Sequence, residues 1–116
     1  MNIIVKELIG TRCIIKDDGQ KIFEQIHPEL CEGHEVCLDF SGVEIFASPF
    51  FNFAVGQLFV DLTKEQINEN LHYINLNDVG CNLIKRVMDN ASTYQKYPDY
   101  QKIIDDILKS QEMETA

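Results

Sequence analysis

The chain has 116 residues, 45% of them hydrophobic and 25% charged, with 19 acidic against 10 basic side chains and a net charge of −9. That size suits one domain with a single core, and the excess of acid argues against nucleic acid as a partner, because affinity for a phosphate backbone depends on lysine and arginine displacing counterions. No apolar run approaches the about 20 residues that span a bilayer, and Met1-Asn2-Ile3-Ile4-Val5-Lys6 lacks the basic region and long apolar stretch of a signal peptide, so no membrane is expected and the cytoplasm is the expected compartment.

Ile3, Ile4, Val5 and Leu8 predict an opening strand closed by Gly10, and Cys13-Ile14-Ile15 a second short extended piece. Asp17 or Asp18 is placed to cap a helix over about 19–29, with Ile22, Phe23 and Ile26 on its apolar face. Pro28 marks the last turn of that helix or its end. Glu32-Gly33-His34 is the loop into a central strand over about 35–40, where Val36, Leu38 and Phe40 alternate with Cys37 and Asp39 at the period of a half-buried strand.

Ser41-Gly42 supplies a turn, the glycine being free to take positive φ. Pro49 suits the first turn of a helix, which places Ser48 near a helix N-terminus, where free N–H groups favour a phosphate or carboxylate. The helix predicted from Phe50 to Leu62 is apolar around nearly its whole circumference, so it is either deeply buried or buries one side in a partner. Thr63 to Asn70 is a polar connection with helical potential, and Leu71 to Leu76 is the next strand. Asn77 or Asp78 caps a third helix with Val79, Leu83, Ile84, Val87 and Met88 at amphipathic spacing. A break at Tyr94 to Pro98, a final helix over about 99–111 carrying Ile103, Ile104, Ile107 and Leu108, and a frayed tail at 113–116 complete the chain. This alternation predicts a single small α/β domain over 1–112, with a mixed or mostly parallel sheet of about four strands covered by helices.

Cys13, Cys31, Cys37 and Cys81 contain no Cys-x-x-Cys pair and read as reduced, mostly buried thiols. Cys31-Glu32-Gly33-His34 comes nearest to a zinc ligand pair, and Cys37 would have to join it from a strand. His27, His34 and His72 show no helical pairing, so neither metal nor cofactor is expected. No motif sets a base beside Ser48 or Cys37, and no glycine-rich phosphate loop is present. Asp17-Asp18 and Asp105-Asp106 read as a cap and a solvated face. The expectation is a protein that is not an enzyme.

Leu38-Asp39-Phe40-Ser41-Gly42-Val43, followed after a few residues by a serine and an apolar helix, resembles the STAS domain (sulfate transporter and anti-sigma factor antagonist), and most closely the bacterial STAS-like domains of unassigned function. Gly10-Thr11-Arg12, the serine–Phe helix start, Gly56, and the unit from Tyr73-Ile74-Asn75-Leu76-Asn77 to Leu83-Ile84-Lys85-Arg86-Val87 are similar to that group as well. The resemblance covers about residues 3–91. It implies an α/β regulatory module resembling an anti-sigma factor antagonist, whose partner is an ATP-dependent serine kinase that acts as anti-sigma factor. It also implies that phosphorylation of a serine at the start of the second helix breaks the complex. Where the antagonists have Asp-Ser-Ser-Gly with the second serine as acceptor, this chain has Ala47-Ser48-Pro49-Phe50. Proline stands at the acceptor position and Ser48 one residue earlier. Asn52 and Phe53 replace acidic residues of the STAS-like group.

The expected contact surface is therefore the turn and the start of the second helix, with Phe46, Ser48, Phe50, Asn52 and Phe53 as its residues. Phe50 and Phe53 are the candidates for exposure, with core packing as the alternative, and Ser48 is preferred over Ser41 as phosphoacceptor. A self-associating homodimer built on the Phe-rich helix is the alternative to a foreign protein partner.

Overall fold

The computed structural model describes residues 1–94; the final helix expected over 99–111, the break before it and the tail at 113–116 lie outside the described residues. The alternation at 36–40 makes β3 (Val36–Asp39), the centre of a three-stranded sheet in which β1 (Asn2–Ile4) and β5 (Leu71–Ile74) lie on either side of it, both parallel. A separate two-residue parallel pair joins β2 (Arg12–Cys13) to β4 (Ile45–Phe46). Between the strands run α1 (Val5–Ile9), α2 (Lys16–Cys31), α3 (Ser48–Ala54), a 3-10 turn (Gly56–Val60), α4 (Lys64–Asn70) and α5 (Asp78–Tyr94). The protein is thus an α/β fold with parallel strand pairing.

The register sorts the sheet into two faces. Val36, Leu38 and Leu71 are buried on one face, with Ile3 and Tyr73 beside them. Asn2, Cys37 and His72 form one cross-strand row on the other face, and Ile4, Asp39 and Ile74 form the next, all exposed or half-buried. Among the described residues, the helices cover the first of these faces.

Three local departures from the sequence reading have physical causes. The opening strand ends at Ile4, and Val5 to Ile9 close into a helical turn, with the Gly10 amide donating to the Lys6 carbonyl at 2.9 Å and Gly10 at φ 94°. This puts Val5 in the core and leaves Leu8 on the surface. Helix α2 begins three residues earlier than expected, with Ile15 as its N-cap and no side-chain cap. Asp17 and Asp18 instead lie in its first turn, where their charge complements the free N–H groups. Pro28 sits inside the last turn, and the helix continues to Cys31.

The expected helix over 50–62 is split. Helix α3 ends at Ala54, Val55 takes φ −122° and ψ −32°, and the chain continues as the 3-10 turn. The bend lets Phe50, Phe51, Ala54, Val55, Leu58, Phe59 and Leu62 all reach the core, which a straight helix with apolar residues around its circumference could not do. Thr63 then starts α4 with a capping box, its hydroxyl accepting from the Gln66 amide at 3.1 Å while the Gln66 side chain accepts from the Thr63 amide at 2.8 Å.

Helix α2 packs closely on α3 at Gly19. A methyl group there would overlap the Phe50 carbonyl oxygen and lie 2.9 Å from Phe53 Cβ and 3.1 Å from the Ala54 nitrogen. Gly19→Ala is expected to lower the urea midpoint, because an overpacking loss of about 1–3 kcal/mol outweighs the about 1 kcal/mol by which alanine favours a helix interior. Gln25→Ala, exposed on the same helix, should stay within about 0.5 kcal/mol of the parent. Equal midpoints for the two variants would show that the helices separate without loss.

Candidate functional site

Strands β3 and β5 end side by side, with Asp39 opposite Ile74 and the Phe40 amide donating to the Ile74 carbonyl at 3.0 Å. At this carboxyl edge one oxygen, Asp39 Oδ1, accepts from the Ser41 amide (2.9 Å), the Ser41 hydroxyl (2.7 Å) and the Asn75 side-chain amide (3.0 Å). Asn75 Nδ2 also donates to Ser41 Oγ at 2.9 Å. Asn75 is at φ 59°, a left-handed conformation that asparagine tolerates better than most residues. The Asn75 bond, then the Ser41 hydroxyl and the Ser41 amide, hold the Asp39 carboxyl below its ordinary value of 3.8.

The turn after β3 is closed by the Val43 amide donating to the Phe40 carbonyl at 3.0 Å, with Gly42 at φ 80° in the third position of the turn, which a type II turn reserves for glycine. The Lys6 side chain lies directly over Gly42. The chain then passes through β4 into α3, and the Ala47 amide donates to the Cys13 carbonyl at 2.9 Å. Ala47 is the N-cap of α3, so Ser48 is the first helical residue and not the cap, and Pro49 follows within the first turn. The first turn of α5 is fastened to the same region. Asn77 Nδ2 donates to the Glu44 carbonyl at 3.2 Å, while Asn77 Oδ1 caps the helix by accepting from the Gly80 amide at 2.9 Å. Gly80 packs against Leu76 and the Phe46 ring.

This geometry sorts the expected contact residues. Phe46 is buried at 9% exposure and Phe50 at 0%, so of the two readings of Phe50, exposure or core packing, it takes the core. The Phe46 ring stacks on Phe51 at 5.6 Å and meets Phe40 edge-on at 5.8 Å, and Phe50 meets Phe51 edge-on at 5.2 Å. Ser48, Asn52 and Phe53 are half-buried. Apolar groups that reach the surface here include Ile45 at 49% and Val79 at 56%; Ile45 did not stand out in the sequence, and the expectation that Val79 shares the apolar stripe of its helix is corrected. Ile45 alternates with Phe46 in a strand too short to give a period. Val79 falls one residue off the stripe formed by Ile84, Val87, Met88 and Ala91.

The thiols fall into different environments. Burial, with help from Asp18, pushes the Cys13 thiol up to about 12, which makes it inert. Cys31 is exposed, and Cys37 and Cys81 are intermediate. The grouping of Cys31, His34 and Cys37 does not form. His34 Nδ1 pairs with Glu29 Oε2 at 2.8 Å, while Cys31 Sγ lies 3.4 Å from His27 Nε2, and that same nitrogen is 2.8 Å from Asp61 Oδ2. His27 and Cys31 are thus a helical pair, which corrects the reading that the histidines lack one; their spacing of four residues was the signal. Because sulfur and carboxylate converge on one ring nitrogen, the trio differs from a nucleophile–base–orienter relay, in which the acid holds the other nitrogen.

The chain belongs to the family described as STAS-like domain of unknown function (DUF4325), whose family model matches residues 18–80. Neither the curated proteins nor the solved structures gave a match. The matched span runs from α2 to the first turn of α5 and so contains the Asp39 node, Ser48 and both exposed apolar groups. Among the described residues no helix is long and apolar enough to cross a membrane.

The lowered Asp39 carboxyl has a pH signature. Its contribution to stability is present above the ordinary carboxylate value and is lost as pH falls through the lower folded value. Thermal midpoints followed from neutral pH into the acid range should fall with this component, and Asp39→Asn should flatten it. Asn75→Gly keeps the backbone conformation and removes both side-chain bonds, so it too should flatten the profile, while Asn75→Ala adds backbone strain and should be the less stable at every pH.

Proposed function

We propose that this chain is a non-catalytic regulatory module that binds a protein partner through the surface formed by β4, the start of α3 and the first turn of α5. The observation that carries this reading is the pair of exposed apolar side chains, Ile45 and Val79, on segments joined by the Asn77–Glu44 bond and backed by the Phe46 ring. Apolar groups on a rigid, polar-rimmed support are what a recognition surface requires. Glu44 and Ser48 lie in the same segment, with Asn52 and Phe53 one turn further along α3.

The partner this reading favours is the kinase-type anti-sigma ATPase implied by the likeness to the antagonists. A chain of net charge −9 suits a partner with a basic face, and such association weakens with salt. Ser48 is the residue through which phosphorylation would act. A phosphoryl group adds a charge of about −1.5 to −2 beside the apolar groups that must be desolvated in the complex.

Affinity capture with the tagged chain from native lysate, with and without ATP and read by mass spectrometry, is expected to recover an ATPase of this kind. Ile45→Ala with Val79→Ala should weaken the complex by about tenfold or more with an unchanged circular dichroism spectrum. Ser48→Glu should release the partner and Ser48→Ala retain it. Capture of the chain by itself alone, together with a mass that rises with concentration, would replace this reading with the homodimer. Capture that survives the Ile45/Val79 double variant would move the surface elsewhere.

A further inference from the structure

We propose that His27, Cys31 and Asp61 form a zinc-binding site at the C-terminal end of α2. This inference is independent of the partner surface. His27 and Cys31 are four residues apart on α2 and so face the same way. Asp61 arrives from the end of the 3-10 turn, far away in sequence. His27 Nε2 is 2.8 Å from Asp61 Oδ2, 3.1 Å from Oδ1 and 3.4 Å from Cys31 Sγ. The nitrogen, sulfur and oxygen all lie within 4.8 Å of one another.

Those separations suit a tetrahedral ion. Bonds of about 2.0 Å to nitrogen, 2.3 Å to sulfur and 2.0–2.2 Å to oxygen set nitrogen about 3.5 Å from sulfur and about 3.3 Å from oxygen. The observed nitrogen–sulfur distance is within a tenth of an ångström or so of that value, and the nearer carboxylate oxygen, at 2.8 Å, has to draw back by about half an ångström. Hydrogen bonding alone ties the three groups loosely: a ring N–H directed at Asp61 accounts for the carboxylate, and the exposed Cys31 thiol keeps its own hydrogen beside the same nitrogen. A cation placed among the three atoms engages all of them.

Two further features prepare the site. The His27 ring is stacked on Phe23 at 4.7 Å and 24°, which fixes the direction of Nε2. The surroundings are acidic, since Glu29 lies between His27 and Cys31 in sequence and Glu32 follows Cys31, and these two make their own group with His34. That second group offers only carboxylates and one nitrogen. A site holding both imidazole and thiolate selects zinc over magnesium and calcium, which prefer oxygen alone. Three protein ligands leave a fourth position for water or another donor. A bound ion would bridge α2 to the chain leaving the 3-10 turn.

The test uses the full chain, stripped with chelator and kept reduced, titrated with Co²⁺ as a spectroscopic stand-in and then with Zn²⁺ in competition. The expected result is one ion per chain, with a thiolate-to-cobalt charge-transfer band and the visible bands of tetrahedral cobalt, both displaced by zinc, and a thermal midpoint that rises with zinc concentration. Cys31→Ser should abolish the charge-transfer band. His27→Gln and Asp61→Asn should weaken zinc binding by at least the about 10–100-fold that loss of even an outer-sphere partner produces. His34→Gln and Cys37→Ser should leave both signals unchanged. A charge-transfer band that is absent, that survives Cys31→Ser, or that depends on His34 or Cys37 overturns the assignment. So does zinc binding indifferent to His27→Gln in a variant whose circular dichroism shows it folded.

Discussion

The bare backbone contact at Gly19 governs where the rest of the molecule can sit. With no side chain between them, α2 lies against the carbonyl of Phe50 and the backbone of Ala54, and this brings the whole 48–62 segment onto the helix. Further along, Gln57 Nε2 donates to Gln20 Oε1 at 2.7 Å, and Asp61 meets His27. Residues 19, 20 and 27 of the helix thus meet residues 50, 57 and 61 of the segment in the same order. Two stretches of chain that run alongside one another over this length behave as one body, and the sheet packs on what they leave buried. A β-carbon at position 19 would overlap the Phe50 carbonyl and crowd Phe53 and Ala54, so the two stretches would have to shift apart there.

That body underlies the turn after β3, whose Ser41 and Gly42 are exposed. Phe46, Phe50 and Phe51 are stacked in the core and hold β4 and the start of α3 from below. From the side, the Asp39–Ser41–Asn75 bonds tie the ends of β3 and β5 together, and Asn77 ties α5 to Glu44. The polar node carries no buried charge, so its effect is on geometry: it fixes where the chain leaves the sheet. In the proposed partner surface, Ile45 and Val79 would be carried by segments already tied into the fold, which would spare a complex the entropic loss of immobilising loops.

The sequence was legible wherever a single local force decided the outcome. The alternation at 36–40 gave β3, the Ser41-Gly42 pair gave the turn, Asn77 and Asp78 were the two candidates for the cap of α5, of which Asn77 makes the bond, and the strand-turn-helix motif gave the family. It was illegible where two long-range contacts competed with local pattern. Ile3, Val5 and Leu8 cannot announce that the chain coils after Ile4, since that depends on Val5 entering the core. The unbroken apolar run from Phe50 to Leu62 has no period in which a bend at Val55 could register. Its apolar circumference correctly signalled deep burial or a partner. The structure assigns Phe50 and Phe51 to the first and leaves Phe53 between.

The same reasoning separates the two kinds of site in this chain. The proposed surface of β4, α3 and α5 lies on elements that the family match spans, but the exposure of Ile45 and Val79 was not readable from spacing. The trio of His27, Cys31 and Asp61 is half readable: the spacing of four on α2 pairs the first two, but Asp61 lies 34 residues from His27. It is brought there by the α2–α3 contact and by the bend at Val55. Had the 50–62 segment stayed a straight helix, Asp61 would lie on a continuation of its axis instead of at the end of a tighter 3-10 turn folded back on α2. The feature that the apolar pattern concealed is thus what closes the ligand set.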